Sequence, residues 1–265
     1  MPLIAVRDIE LWYDCAGQGP RLLAISGTGS DLRRRPNLLD SPLVAKFEVL
    51  SYDQRGLGRS SKPDRPFTMA DYADDAANLM DAIGWERAHI VGVSFGGMVA
   101  QELALRHPEK VIRLALCCTA AGGAGGSSFP LDTLQHLAPQ ERARRMIPIS
   151  DIRNGEQWAA THPETFSQLL YAFSEDPFAD EPGHRLGARR QLEARSCHDA
   201  WERLIHIRCP TLVCGGRYDG QTLPESLVNL AKRIPDAVLR LYEGGHQFLW
   251  QDPTAWPELV EFLSQ

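Results

Sequence analysis

Apolar and polar positions along the 265-residue chain follow two rhythms. Short apolar runs bounded by glycine, proline or charge read as buried strands at 9–13, 21–25, 47–52, 88–93, 111–118, 210–214 and 237–242. Longer stretches at helical spacing lie between them, at 69–83, 95–107, 223–233 and 256–264. Strands alternating with helices of roughly 10–15 residues predict an α/β fold, a mostly parallel sheet with helices on both faces.

The rhythm breaks after Cys118. Gly122-Gly123-Ala124-Gly125-Gly126-Ser127-Ser128 reads as a flexible joint. Beyond it, residues 130–205 carry helical patterns at 131–146, 156–173 and 184–204 and no clear strand. The expected organisation is a core over 1–126, a helical insertion over 127–205, and a second core segment over 206–265. No internal repeat is present.

Composition narrows the class. Hydrophobic residues at 43% and charged residues at 23% suit a soluble globular protein. A net charge of −6 argues against a nucleic-acid partner, because phosphate binding needs a basic face. The run Arg33-Arg34-Arg35 is the local exception, and it reads as a solvated loop in preference to an anion site. No apolar stretch approaches the ~20 residues needed to span a bilayer, and the first residues lack a signal-peptide layout. The six cysteines form no C-x-x-C pair, and His198 beside Cys197 lacks further metal ligands. His89, inside a strand-like run, reads as a packed core residue. Reduced thiols, a cytoplasmic location, no metal, no cofactor, no membrane partner and a monomer or homodimer are expected.

The chemistry starts at Gly92-Val93-Ser94-Phe95-Gly96, a G-x-S-x-G segment between the run at 88–93 and the helix pattern beyond it. A serine in so tight a strand-to-helix turn takes a strained backbone, which glycines two before and two after it accommodate, and its hydroxyl stands clear. A serine hydroxyl needs a neighbouring base, usually a histidine oriented by a carboxylate. In this fold type the chain order is serine, acid, histidine, each in a loop after a strand. Asp219, after the strand ending at Cys214, and His246, in Glu243-Gly244-Gly245-His246, meet that rule. Glu243 is the weaker alternative acid, nearer the strand body. The backbone N–H of Phe95 and that of Thr28, in the glycine-rich loop after the early strand, are the expected oxyanion donors.

These residues together resemble the α/β-hydrolase superfamily over nearly the whole chain. Asp53-Gln54-Arg55-Gly56-Leu57-Gly58-Arg59-Ser60 resembles its D-x-R-G-x-G-x-S segment. The residues from Pro210 to Asp219 resemble its acid segment, and Gly245-His246 followed by Gln251-Asp252-Pro253 its histidine segment. The resemblance implies Ser94, Asp219 and His246 as a triad, with 127–205 as a cap over the site. Ser26, where many relatives have a histidine, and Cys118-Thr119-Ala120-Ala121 are similar to the 3-oxoadipate enol-lactonase type.

A serine at the elbow sets aside dehalogenase and epoxide-hydrolase mechanisms, which form an ester on an aspartate there. The expected activity is hydrolysis of a small ester, lactone or enol-lactone through an acyl-enzyme. Carbon–carbon bond hydrolysis, cofactor-free perhydrolysis and a non-catalytic ligand receptor are the alternatives. Among cap aromatics, Trp158, Phe166, Tyr171, Phe173, Phe178 and Trp201 offer an apolar pocket or simply a cap core. Met98, Trp158, Phe173 and Phe248 are the expected wall for a mostly apolar small molecule. Arg55 is expected to pair near Asp53 and brace its loop.

Overall fold

Runs that are apolar at every position need cover on both faces, and a mostly parallel sheet flanked by helices supplies it. A computed structural model describes residues 3–265. It contains strands β1 (Leu3–Val6), β2 (Ile9–Ala16), β3 (Arg21–Ile25), β4 (Glu48–Tyr52), β5 (Ala88–Val93), β6 (Val111–Cys117), β7 (Thr211–Gly216) and β8 (Val238–Tyr242). They form one sheet in the order β1-β2-β4-β3-β5-β6-β7-β8. β1 pairs with β2, and β2 with β4, antiparallel. All other pairs are parallel. Beyond β3 the chain goes to β4 on one side and later to β5 on the other, so the strand order reverses there. That switch point opens a crevice at the carboxyl ends of β3 and β5.

The helices are α1 (Met69–Ala82), α2 (Phe95–Arg106), α3 (Pro139–Ser150), α4 (Glu156–Thr161), α5 (Pro163–Ser174), α6 (His184–Ser196), α7 (Pro224–Arg233), α8 (Phe248–Gln251) and α9 (Ala255–Ser264). Neighbouring strand residues point to opposite faces. Leu23 and Ile25 of β3 pack in a core with Tyr72 and Leu79 of α1, Phe95 and Leu103 of α2, and Leu227 and Leu230 of α7. Leu22 and Ala24 pack on the other face with Phe248 of α8 and Trp256, Leu259 and Leu263 of α9. His89 lies buried against Phe47, ring centroids 5.6 Å apart. No helix among the described residues is long and apolar enough to cross a membrane.

Between β6 and β7 the chain leaves the sheet. Its helices depart from the expected bounds, in two of three places at a proline. The stretch at 131–146 becomes a 3-10 turn, Leu131–Leu134, and α3, which starts with Pro139. The pattern at 156–173 splits into α4 and α5 at Pro163, whose ring nitrogen carries no N–H to continue a helix. The pattern at 184–204 ends at Ser196, and Trp201–His206 is a separate 3-10 turn. The glycine run is corrected too, since it is a packed turn and not a flexible joint. A Cβ on Gly125 would lie 2.4 Å from the Trp201 ring, and one on Gly122 2.0 Å from His198 O. A bridge between Gly122 and Asp199 closes the neck of the insertion.

Arg55 does not pair with Asp53. Its fully buried guanidinium makes two bonds to Asp75, at 2.6 and 2.7 Å, and a third to Asp8 at 3.1 Å. The Asp53 carboxylate instead accepts the N–H of Leu32 at 2.7 Å and that of Arg59 at 2.9 Å. Asp75 lies on α1 and Arg55 on the loop after β4, so the pair ties that helix to the edge of the crevice. Breaking such a pair strands a charge in the interior. Asp75→Ala should lower stability by about 3–5 kcal/mol in urea unfolding, while Arg55→Met with Asp75→Leu should recover most of the loss. A loss within experimental error for Asp75→Ala would refute a desolvated pair.

Candidate active site

At the end of β5 the backbone turns sharply. Ser94 has φ 56° and ψ −117°, left-handed space that a non-glycine residue enters only when its surroundings enforce it. α2 begins at the next residue. Both neighbouring glycines are needed for close approach: a Cβ on Gly92 would meet Gly96 O at 2.4 Å, and one on Gly96 would meet Ile25 O at 2.0 Å. The Ser94 N–H donates to Cys117 O at 2.8 Å, which fixes the turn to β6.

Asp219 stands in the loop after β7 and His246 in the loop after β8. His246 Nε2 lies 2.9 Å from Ser94 Oγ, and His246 Nδ1 lies 2.7 Å from Asp219 Oδ2. A carboxylate only accepts, so Nδ1 carries the ring proton and Nε2 offers its lone pair to the Ser94 hydroxyl. The other Asp219 oxygen accepts the N–H of Gln221 at 2.7 Å and of Thr222 at 2.9 Å, so the carboxylate cannot swing. All three side chains are buried. Glu243, the alternative acid, is 62% exposed and faces Arg217 at 3.5 Å, away from the imidazole.

The insertion grips the same loops. The Ser150 carbonyl, at the end of α3, accepts the His246 N–H at 2.6 Å, and Ile152 N–H donates to Tyr218 O at 2.9 Å. Gln251 Nε2 reaches Asp151 Oδ2 at 3.2 Å. The loop after β3 closes the other side, where a Cβ on Gly27 would lie 3.4 Å from Ser94 Cβ. Among the described residues, neither the Thr28 nor the Phe95 N–H finds an acceptor.

A cavity of about 460 Å³ opens over Ser94 and His246. Leu131, Met146, Phe173 and Trp250 give it an apolar side. Thr28 and Tyr52 bring buried hydroxyls without a partner among the described residues. Of the four expected wall residues, Phe173 lines it. Three are corrected. Met98 is turned into the core shared with α1. Phe248 is fully buried, stacked on Tyr242 at 5.4 Å. Trp158 stacks on His162 at 5.0 Å, outside the cavity. Hydrophobic character marks such side chains for burial, and tertiary packing decides which core or neighbouring ring receives them.

The reading from sequence missed Tyr52, Met146, Trp250 and Gln221 as lining residues. Gln221 had a signal, its place two residues after Asp219. The arginine run is partly solvated, as Arg34 and Arg35 are 40% and 52% exposed, and each of the three arginines is paired with a carboxylate. Arg33 pairs with Asp31 and Glu181, Arg34 with Asp176, and Arg35 with Asp40. Arg33 also stacks over Phe178 at 3.5 Å. Burial pushes His198 down to about 4. Among the described residues no cluster of His, Cys, Asp or Glu is placed to hold a metal ion.

A family profile described as alpha/beta hydrolase fold matches residues 26–253. A putative carbamate hydrolase RutD of Azorhizobium caulinodans is 30% identical over 98% of this chain and 97% of its own. A 2-hydroxymuconate semialdehyde hydrolase of Pseudomonas sp. is 37% identical over 94% of this chain and 89% of its own. The enol-lactonase crystal structure from Burkholderia xenovorans superposes over 100% of both chains with a TM-score of 0.80 at 25% identity.

Asp53 on the cavity wall gives the site a pH signature. Burial raises its carboxyl to about 6, against 3.8 for an ordinary one. Between these values the folded chain holds a proton that the unfolded chain has released, so stability falls as pH rises through that window. Asp53→Asn should flatten the slope between about pH 4 and 6 by on the order of 2–3 kcal/mol. Denaturant titrations across that range, with parallel curves for the two proteins, would sink this assignment.

Proposed function

The chain belongs to the α/β-hydrolase family, matched over residues 26–253, and within it we propose a serine hydrolase of a small ester, lactone or enol-lactone. The observation that carries the reading is the unbroken line of short contacts from Asp219 through His246 to Ser94, 2.7 and 2.9 Å long. His246 Nε2 takes the proton of Ser94 as Oγ attacks the acyl carbon. Asp219 keeps the ring in the right tautomer and stabilises its protonated form. The free N–H groups of Thr28 and Phe95 hold the oxyanion, each worth about 3 kcal/mol in the transition state. His246 then protonates the leaving oxygen, water attacks the acyl-enzyme, and the acid departs.

The substrate this cavity suits is small. Its apolar part rests on Leu131, Met146, Phe173 and Trp250, and its reacting group faces Ser94 and His246. Six free thiols suit a reducing, cytoplasmic setting. A second reading, hydrolysis of a carbon–carbon bond, draws on the relative named 2-hydroxymuconate semialdehyde hydrolase. It would use the same serine with a carbon leaving group.

Two outcomes test the proposal. Purified protein should turn over p-nitrophenyl butyrate, and Ser94→Ala should lower kcat at least about a thousandfold, in line with removing the nucleophile of a serine triad. Activity that survives this change would reject Ser94. Phe173→Ala should shift relative rates toward longer acyl chains in a series from acetate to octanoate, and an unshifted profile would take Phe173 out of the acyl site.

A further inference from the structure

The amide side chain of Gln221 is placed where an ordinary turn residue has no business. It is 6% exposed and lines the cavity. Its Nε2 lies 2.9 Å from His246 Nε2 and 3.4 Å from Ser94 Oγ. Its main chain is pinned on both sides, the N–H donating to Asp219 Oδ1 at 2.7 Å and the carbonyl accepting from Phe129 N–H at 2.7 Å. The carboxamide is therefore delivered to the imidazole by the same loop that orients it.

The tautomer set by Asp219 leaves one lone pair on His246 Nε2, and two donors face it: the Ser94 hydroxyl and the Gln221 N–H. The place beside that lone pair is also where a leaving group must depart and water must enter. Oε1 of the amide receives no hydrogen bond from the described residues. The terminal torsion of a glutamine is broad, so the amide turns at little cost and can present either atom.

We infer that Gln221 is a positioning residue for the hydrolytic water of the second half-reaction, an inference that rests on the acyl-enzyme reading above. Once Ser94 is acylated its hydroxyl no longer competes for Nε2. Water donates one hydrogen to His246 Nε2 and the other to Gln221 Oε1, which aims its oxygen at the acyl carbon. The water oxygen bonds to that carbon while one proton passes to Nε2. The intermediate collapses with cleavage of the carbon–Oγ bond, the proton returns to Oγ, and the carboxylic acid leaves. An alcohol brings one O–H, spends it on His246, and has nothing left for Gln221.

The test is the partition of the acyl-enzyme between water and methanol. Wild-type protein is given p-nitrophenyl and phenyl butyrate with added methanol, and methyl butyrate and butyric acid are measured. A single ester-to-acid ratio for both leaving groups marks a common acyl-enzyme. Gln221→Met and Gln221→Leu should raise that ratio about tenfold, equivalent to about 1.4 kcal/mol, by slowing attack of water alone. The ratio is set by whatever fraction of each variant is folded, so reduced yield does not blur it. Turnover that falls with the ratio unchanged would reduce Gln221 to a loop brace and overturn the inference alone. A wild-type ratio that varies with the leaving group would overturn the acyl-enzyme reading, and the inference with it.

Discussion

The carboxyl edge of the sheet is built on a contact between bare backbones. The first turn of α2 rests on the end of β3 at Gly96, where even a methyl group would lie 2.0 Å from Ile25 O. Nothing larger than hydrogen lets the helix come so near. That approach carries Ser94 up to the loop after β3 and turns its N-terminal amides toward the crevice. The left-handed backbone at Ser94 costs about 1–3 kcal/mol. It is held by the bond from Ser94 N–H to Cys117 O and by burial on every side.

The insertion over this edge is unevenly attached. Charged contacts hold it at several points: Arg33 and Arg34 reach Glu181 and Asp176, Arg190 reaches Asp64, and Arg203 reaches Glu102. Ions in such half-exposed places contribute little each to stability, but several together set an orientation. By contrast, α4 and α5 bury none of their residues completely, and Tyr171 is 68% exposed. α5 packs on α3 and α4 on α5, without a core of their own. Local opening is cheapest where buried contacts are few, as they are in α4 and α5.

The sheet and the loops that bear Ser94, Asp219 and His246 were legible because each follows a short apolar run ended by glycine, and the parallel order leaves those loops on one edge. β1 was not. Leu-Ile-Ala-Val is a short edge strand, and its partner is a hairpin neighbour and not a crossover. The cavity wall was read least well. Hydrophobic character marks Met98 and Phe248 as buried without saying which of two cores receives them, and Met98 went to one and Phe248 to the other. Glycine content suggested a hinge at 122–126, but the same residues are what a tight turn needs beneath Trp201. Polar partners in the tertiary structure, such as Asp75 for Arg55, have no signature in local spacing.

The residues 150–152 have a double allegiance. By sequence they end α3 in the insertion, yet their backbone is stitched to Tyr218 on one side and His246 on the other. The helical insertion and the loop that carries His246 thus share an anchor at these residues. The insertion is therefore not an independent part. A replacement that begins before residue 153 would remove the contact to the His246 backbone as well as the cavity lining from α3. One that begins after that point would keep α3, and Met146 with it, beside the cavity.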